Sequence, residues 1–256
     1  MWEATTINPG ATRHWQVGPC KLWVRRLPDE WQTYVERDPD SPHVEVWAVD
    51  DPGPGEATWT RFAAVRDDHQ VEVRPQLPER PVIVRPETSF LFPGGSDLTF
   101  YVSIPLHLGI FTGPGGERSL GEVPTVILSN SFFGEPTTGQ LGFALKTTAR
   151  RDPADLRQQP HLAACPVHVR NPTGVTMAFE RLCLYTRHLA IYKGSNRLWT
   201  SLAEVTYRGP TEPQQLKYPD RTGPEAGEVE PWIPPREPAP QGRLQRQLSA
   251  FKSFIT

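Results

Sequence analysis

Five histidine and cysteine residues in the second half of the chain carry atoms that can bind a transition metal. They are His161, Cys165, His168, Cys183 and His188. The run His-x3-Cys-x2-His, followed by Cys-x4-His, offers the nitrogen and sulfur ligands that zinc prefers. The spacing argues against a single site, because residues three or five apart on a β-strand face opposite sides of the sheet. A metal-assisted hydrolase is therefore the third interpretation, and we predict no cofactor.

Other catalytic arrangements are weakly represented in the sequence. The stretch TGPGGERSLGE has neither the Lys-Ser/Thr of a phosphate-binding loop nor the spacing of a dinucleotide-binding turn. No Gly-x-Ser-x-Gly nucleophile elbow occurs. Glu135, Glu180 and Glu204 are candidate acid–base residues because they lie in or beside predicted strands, although an exposed or ion-paired carboxylate is the commoner case. We therefore name no catalytic residue and expect that the protein is not an enzyme.

The loop SNSFFGEPTTGQ is a possible ligand-binding loop, with Ser131, Phe132, Phe133 and Glu135 as its candidate residues. Two adjacent phenylalanines cannot both point inward from one strand, so one of them is free to meet a ligand. The alternative is that one phenylalanine packs beneath the loop while the other covers an edge of the sheet.

Tryptophans concentrated near the N-terminus offer a second ligand surface. Flat aromatic rings stack on sugar rings, so an exposed group of tryptophans predicts carbohydrate binding; the candidates are Trp23, Trp31, Trp47 and Trp59. The alternative is that these rings belong to the core, which is the commoner use of tryptophan. A small-ligand or carbohydrate-binding protein is accordingly the second interpretation.

The elements that position these residues are β-strands, because the dominant hydrophobic period is two. In DLTFYVSIPL, the apolar residues Leu98, Phe100, Val102 and Ile104 alternate with Thr99, Tyr101 and Ser103. CKLWVRRL and WQTYVER flank a Pro-Asp-Glu turn and predict a hairpin. Turn signals recur roughly every 8 to 12 residues, which favours an all-β fold, a β-sandwich or partly open barrel of many short antiparallel strands. One internal helix is predicted, with Asp152 as its N-cap.

The chain divides by composition into four predicted segments. Residues 1–77 form an aromatic-rich sheet region and residues 78–222 a sandwich region, which could also be one domain. Residues 223–240 are a proline-rich linker, and residues 241–256 are a terminal amphipathic helix. We use the name C-terminal segment for residues 241–256.

Charge and cysteine content limit the setting and the partners. The 256 residues carry 27 basic and 29 acidic side chains, a net charge of −2, so no overall field attracts nucleic acid. No apolar run reaches the roughly 20 residues of a membrane span, and the N-terminus lacks the pattern of a secretory signal. Three cysteines are an odd and sparse set that fits reduced thiols. We expect a cytoplasmic protein of a bacterium or archaeon.

Several stretches carry a family resemblance: Leu128 and Ser129, Phe133 and Gly134, Gly139 to Leu145, and Cys165 to Asn171. On these residues the chain resembles DUF432, an uncharacterised prokaryotic family of domains of unknown function. The resemblance extends from about Trp15 to Tyr218 and leaves the C-terminal segment outside. It implies no reaction.

The C-terminal segment has helical periodicity. Leu244, Leu248, Phe251 and Ile255 fall at i, i+4, i+7 and i+11, and Phe254 widens the stripe. Three basic residues and no acidic residue give the segment a charge of +3. Because so short a helix is marginal alone in water, its apolar side needs a covering surface. That surface is its own sheet, a protein partner or second copy, or, with weak anchorage, a membrane.

These observations lead to one preferred function. We expect a non-catalytic accessory or interaction protein that docks through residues 241–256 on a protein partner or on another copy of the chain. Trp232, within the proline-rich linker, is a further apolar contact for that partner.

Overall fold

A computed structural model describes residues 2–40, 46–65, 68–134, 137, 139–209, 214–240 and 251–253. The described residues fold into 23 short strands and three single turns of 3-10 helix. No helix among them has the length and apolar character needed to cross a lipid bilayer. The all-β class predicted from the period of two is therefore confirmed.

The first twelve strands, in chain order, are β1 (Thr5–Thr6), β2 (Thr12–Val17), β3 (Cys20–Arg26), β4 (Glu30–Arg37), β5 (Val46–Asp50), β6 (Thr60–Ala63), β7 (Gln70–Gln76), β8 (Val82–Pro86), β9 (Phe90–Phe92), β10 (Ser96–Pro105), β11 (His107–Thr112) and β12 (Arg118–Pro124). The remaining strands are β13 (Asn130–Phe133), β14 (Gln140–Thr147), β15 (Leu162–Asn171), β16 (Met177–Phe179), β17 (Leu182–Leu184), β18 (Ile191–Lys193), β19 (Leu198–Thr200), β20 (Ala203–Thr206), β21 (Gln215–Lys217), β22 (Glu230–Ile233) and β23 (Phe251–Ser253).

The first compact unit is a two-sheet sandwich made of Met1–Gln76, Pro105–Ile127 and Gln159–His161. One sheet has five strands in the order β5-β2-β3-β4-β6, and the other has four in the order β1-β7-β11-β12. Apolar side chains from both sheets meet in one core; among them are Trp15, Leu22, Trp31, Val71, Val73, Leu108 and Ile110. The predicted hairpin is present, because β3 and β4 pair antiparallel with Arg26 opposite Trp31.

The second unit contains Leu77–Ile104, Leu128–Gln158 and Leu162–Thr256. Its largest sheet has the order β21-β20-β15-β19-β18-β22, with β10 also paired to β15. A four-stranded sheet has the order β13-β14-β8-β17, and a three-stranded sheet the order β23-β16-β9. Phe100, Val102 and Ile104 of β10 are fully buried, as the alternation predicted, but Tyr101 is buried as well.

Not every strand pair is antiparallel. β15 pairs parallel with β19 and with β20, and β8 pairs parallel with β14. Parallel partners need a long crossover between them, and these strands are separated by long stretches of chain. Local periodicity carries no information about such pairings, so the sequence did not predict them.

The predicted internal helix is reduced to one turn. Asp152 is the N-cap, and its Oδ1 accepts a hydrogen bond from the backbone N–H of Ala154 over 2.8 Å. The turn ends after three residues, Pro153–Asp155, and it buries none of them. Leu156, the residue after the turn, is buried, but Arg157 and Gln158 beyond it are exposed, so extending the helix would bury little more apolar surface.

Residues 223–240, predicted as a linker, are packed on the second unit. β22 pairs antiparallel with β18, with Pro231 opposite Tyr192. Arg236 donates from Nη2 to the carbonyl oxygen of Leu77 over 2.6 Å, and the N–H of Glu237 donates to the carbonyl oxygen of Arg187 over 3.0 Å. Proline is tolerated here because β22 lies at the edge of its sheet, where one side of the strand needs no ladder hydrogen bond.

The helix predicted for residues 241–256 is wrong where the structure describes it. Phe251–Ser253 form β23, which pairs antiparallel with Met177–Phe179 of β16. An unpaired strand edge offers backbone hydrogen bonds that a marginal isolated helix cannot match. Residues 241–250 and 254–256 lie outside the described residues.

Candidate ligand-binding cleft

A row of polar residues crosses four neighbouring strands on one face of the largest sheet. His168 of β15 lies opposite Glu204 of β20, and Glu204 lies opposite Lys217 of β21. Thr99 of β10 extends the row on the other side of His168, because its Oγ1 lies 3.1 Å from His168 Nδ1. Neighbouring residues on these strands are apolar and point to the opposite face, so the pleat collects the polar groups on one side.

This row borders a cleft of about 310 Å³, which we call the polar cleft. The residues that line it are Thr99, His168, Arg170, Leu202, Glu204, Arg221, Gly223 and Pro224. They come from three strands, from Leu202 just before β20 and from the segment after β21, so the cleft forms only in the folded chain. A concave site with a few convergent polar groups is the usual form of a small-molecule site.

An ion pair fixes one side of the polar cleft. Arg221 donates from Nη2 to Oε1 of Glu204 over 3.0 Å, with the two side chains 60% and 31% exposed. Since both groups stay in contact with water, the pair adds little to the stability of the fold. Its effect is to orient the Arg221 guanidinium at the edge of the cleft.

The balance of charge in the polar cleft is positive. Arg170 is exposed, and no hydrogen bond or ion pair joins its guanidinium to another described residue. The described lining therefore holds two arginines against one glutamate, a surplus of one positive charge among these three side chains. Guanidinium groups present planar pairs of N–H donors that match carboxylate and phosphate oxygens.

Two members of the polar cleft are candidates for other roles on sequence grounds. His168 was a candidate metal ligand and Glu204 a candidate acid–base residue, whereas Thr99, Arg170 and Arg221 were not singled out. The signal for Arg170 was present in CPVHVRN, where alternation places His168 and Arg170 on one side. Nothing local indicates Arg221, which reaches the site from beyond β21.

Comparison with known protein families matches residues 1–252 to a family described as a protein of unknown function, DUF432. The chain belongs to DUF432. The match is longer than the stretch from Trp15 to Tyr218 that the resemblance suggested, and it includes most of the C-terminal segment. No curated protein and no solved structure matches this DUF432 chain.

The five metal-ligand candidates do not come together in the DUF432 chain. Among the described residues, no group of three or more His, Cys, Asp or Glu side chains is placed to hold a metal ion. Burial raises the pKa of both Cys165 and Cys183 to about 12, and burial lowers the pKa of His161 to about 4. His188 Nδ1 lies 3.2 Å from the carbonyl oxygen of Glu237.

The candidate ligand loop of the DUF432 chain is partly an edge strand. Phe133 is 4% exposed, with the Arg181 guanidinium 5.2 Å from the centre of its ring. Phe132 is 42% exposed and pairs across the hairpin with Leu141. The Ser131 hydroxyl oxygen accepts a hydrogen bond from Arg85 Nη2 over 3.4 Å. Phe133 is thus buried and Phe132 is exposed. Glu135 lies outside the described residues.

The three candidate tryptophans whose side chains the structure describes do not form an open platform. Trp31 is 1% exposed and belongs to the core of the first unit. Trp23 is also buried, stacked on His14 with ring centres 4.2 Å apart. Trp59 is half-buried, and the Arg25 guanidinium lies 4.1 Å from the centre of its ring. The structure describes no side chain for Trp47.

The structure describes only some of the predicted partner-binding residues of the DUF432 chain. Leu244, Leu248, Phe254 and Ile255 lie outside the described residues, and Phe251 is described as the first residue of β23. Trp232 is half-buried on β22, with Lys193 Nζ 4.2 Å from the centre of its ring.

Proposed function

We propose that this DUF432 chain is a non-catalytic binding protein that holds a small anionic molecule in the polar cleft. The observation that carries the proposal is the pair of arginines, Arg170 and Arg221, at one concave site on the largest sheet. One guanidinium is oriented by Glu204, and the other has no bonding partner among the described residues. The ligand class is a carboxylate or a phosphate, because these anions accept paired N–H donors.

Orientation of the site before binding favours affinity. Arg221 is already held against Glu204, so less side-chain entropy is lost when a ligand contacts it. The contact of His168 Nδ1 with Thr99 leaves Nε2 for a ligand or water. Arg170 supplies the uncompensated positive charge. A ligand of a few polar atoms fits a cleft of about 310 Å³.

The thiols support binding rather than covalent chemistry. Cys20, Cys165 and Cys183 are buried free cysteines. Burial raises the pKa of Cys20 to about 11 and that of the other two to about 12, so the reactive thiolate form is suppressed. We also place the protein in a prokaryotic cytoplasm, a reducing compartment in which unpaired thiols persist.

The test is a titration of the full chain with inorganic phosphate, succinate and citrate at low ionic strength, followed by NMR. We expect saturable shifts at His168 and Thr99 for the preferred anion. Arg170→Ala and Arg221→Ala should each weaken binding by at least about tenfold, since each removes a charge-assisted hydrogen-bond donor. Arg85→Ala is the matched control, because Arg85 is an exposed arginine on a different sheet of the same unit.

Two results would refute the proposal. One is the absence of saturable shifts at the polar cleft with every anion in the series. The other is an equal loss of binding in the Arg85 control, which would indicate non-specific charge attraction rather than a site. The three anions also separate the two ligand classes, since only one of them is a phosphate.

A further inference from the structure

The edge of β16 is covered by a strand from the far end of the chain. On one side β16 pairs with β9, with Phe179 opposite Phe90. On the other side it pairs with β23, with Phe179 opposite Phe251 and Met177 opposite Ser253. This second pairing involves three residues. If β23 leaves, β16 becomes an edge strand with a free row of backbone N–H and C=O groups.

The strand that receives β23 packs in a cluster of phenylalanines that come from outside the C-terminal segment. Phe179 packs against Phe90, Phe92 and Phe100, with ring centres between 5.0 and 6.3 Å apart. All four rings come from residues 90–100 and 177–179, and Met177 is also fully buried. β16 is therefore also held by packing contacts that do not involve β23.

The chain leading to β23 is long enough to reach beyond its own molecule. The last described anchor before β23 is Glu237, which bonds to Arg187 through its backbone and through an ion pair of 3.5 Å. Fourteen peptide steps separate residue 237 from residue 251, and fully extended they span about 50 Å. Covalent connection alone thus does not restrict β23 to the β16 edge of the same chain.

We propose that the β16 edge is an interaction surface for a second copy of this chain, which inserts its own Phe251–Ser253 strand. A second copy carries the same Phe251–Ser253 strand, so it can form the same residue pairs with β16 in the same register. Two chains exchange their terminal strands reciprocally, so the β16 edge is paired in both copies. The internal strand competes, and its effective concentration is on the order of millimolar.

The first experiment measures self-association of the full chain by sedimentation velocity from about 10 μM to about 1 mM. We expect the dimer fraction of the unmodified chain to rise over this range. Lys252→Pro should remain monomeric, because proline lacks an N–H and holds φ near −65°, far from the extended value. Lys252→Ala is the control and should associate as the unmodified chain does, since it keeps the backbone.

The second experiment separates the acceptor edge from the inserted strand. A fluorescent peptide of residues 242–256 is titrated into the full-length Lys252→Pro variant, whose own strand cannot compete. We expect saturable binding there, at least about tenfold weaker binding to the unmodified chain, and none with a peptide that carries Lys252→Pro.

Each experiment can overturn the proposal. If the unmodified chain is monomeric at all concentrations, exchange of the terminal strands is excluded. If the Lys252→Pro variant associates as strongly as the unmodified chain, the interface lies elsewhere. Failure of the peptide to bind the variant shows that the β16 edge does not accept a strand in trans. None of these results depends on the polar cleft, so they leave the proposed ligand binding unaffected.

Discussion

The imidazole ring of His161 fills the space in which a side chain at residue 18 would stand. A Cβ atom placed on Gly18 would overlap the Nδ1 atom of His161, and Gly18 has a φ of +57°, in the left-handed region. Gly18→Ala therefore meets both a steric and a backbone penalty. We expect a loss of at least about 2 kcal/mol in the free energy of unfolding, measured by urea titration.

Gly55 provides the control for this substitution. A Cβ on Gly55 meets no atom within 4 Å, and Gly55 does not lie in the left-handed region. Gly55→Ala should change the free energy of unfolding by no more than about 0.5 kcal/mol. Equal effects of the two substitutions would mean that His161 does not occupy the position described.

The same histidine should make stability depend on pH. Burial lowers the pKa of His161 in the folded chain to about 4, against 6.5 when it is exposed. Below about pH 6.5 His161 is protonated in the unfolded chain but stays neutral in the folded chain. The free energy of unfolding is therefore highest above that pH and decreases as the pH falls towards 4. After allowance for solvent screening, we expect a loss of about 1 to 2 kcal/mol between about pH 7 and about pH 5.

His161→Gln isolates this contribution, because glutamine does not titrate. Carboxylates contribute to the acid dependence of both proteins, so the informative quantity is the difference between their slopes of unfolding free energy against pH. The variant should have the shallower slope between about pH 5 and about pH 7. Parallel slopes would contradict a buried, neutral His161.

The Asn171 side chain organises a turn beside β16. Its Nδ2 atom donates to the carbonyl oxygens of Phe92, Pro93 and Val175, at 3.3, 3.1 and 2.8 Å. Asn171 is fully buried, so Asn171→Ala leaves these carbonyls without their donor. We expect a cost of about 3 kcal/mol in thermal or urea unfolding, against less than about 0.5 kcal/mol for the exposed Asn130→Ala.

Glu204 offers a test of the sign of the ligand's charge. Glu204→Gln keeps an acceptor for Arg221 but removes the only negative charge among the residues that line the polar cleft. An anion should then bind about two- to fivefold more tightly, as measured by calorimetry, in the opposite direction to Arg221→Ala. Weaker binding in both variants would indicate that the ligand contacts Glu204 itself through a donor group.

Sequence reasoning succeeded where structure is local. Alternation in DLTFYVSIPL predicted the buried set Phe100, Val102 and Ile104, and the cap at Asp152 was predicted from its neighbours. Prediction from sequence failed where a pairing between distant strands determines the structure of a segment. The stripe through Phe251 has helical spacing, yet Phe251–Ser253 pair with a strand about seventy residues earlier in the chain.

The polar cleft was only half predictable for the same reason. His168 and Arg170 face one side of β15 by alternation alone, but Glu204 reaches His168 through a parallel pairing that local sequence does not encode. Arg221 is positioned by two contacts with residues distant in sequence: its ion pair with Glu204, and the hydrogen bond that its carbonyl oxygen accepts from the N–H of Leu202. Tyr101 was predicted on the face opposite Phe100 and Val102, and it is buried there because a second apolar cluster, which includes Trp199, covers that face.

The order of strands in the first unit also governs how the nascent chain behaves on the ribosome. β7 is complete at residue 76, but its partner β11 ends only at residue 112, so 36 further residues must be made before these two strands can pair along their full length. At cellular rates of translation this takes about 2 to 7 s. During that interval one edge of β7, the strand that carries the core residues Val71 and Val73, lacks its partner β11, and an unpaired strand edge of this kind is prone to aggregation.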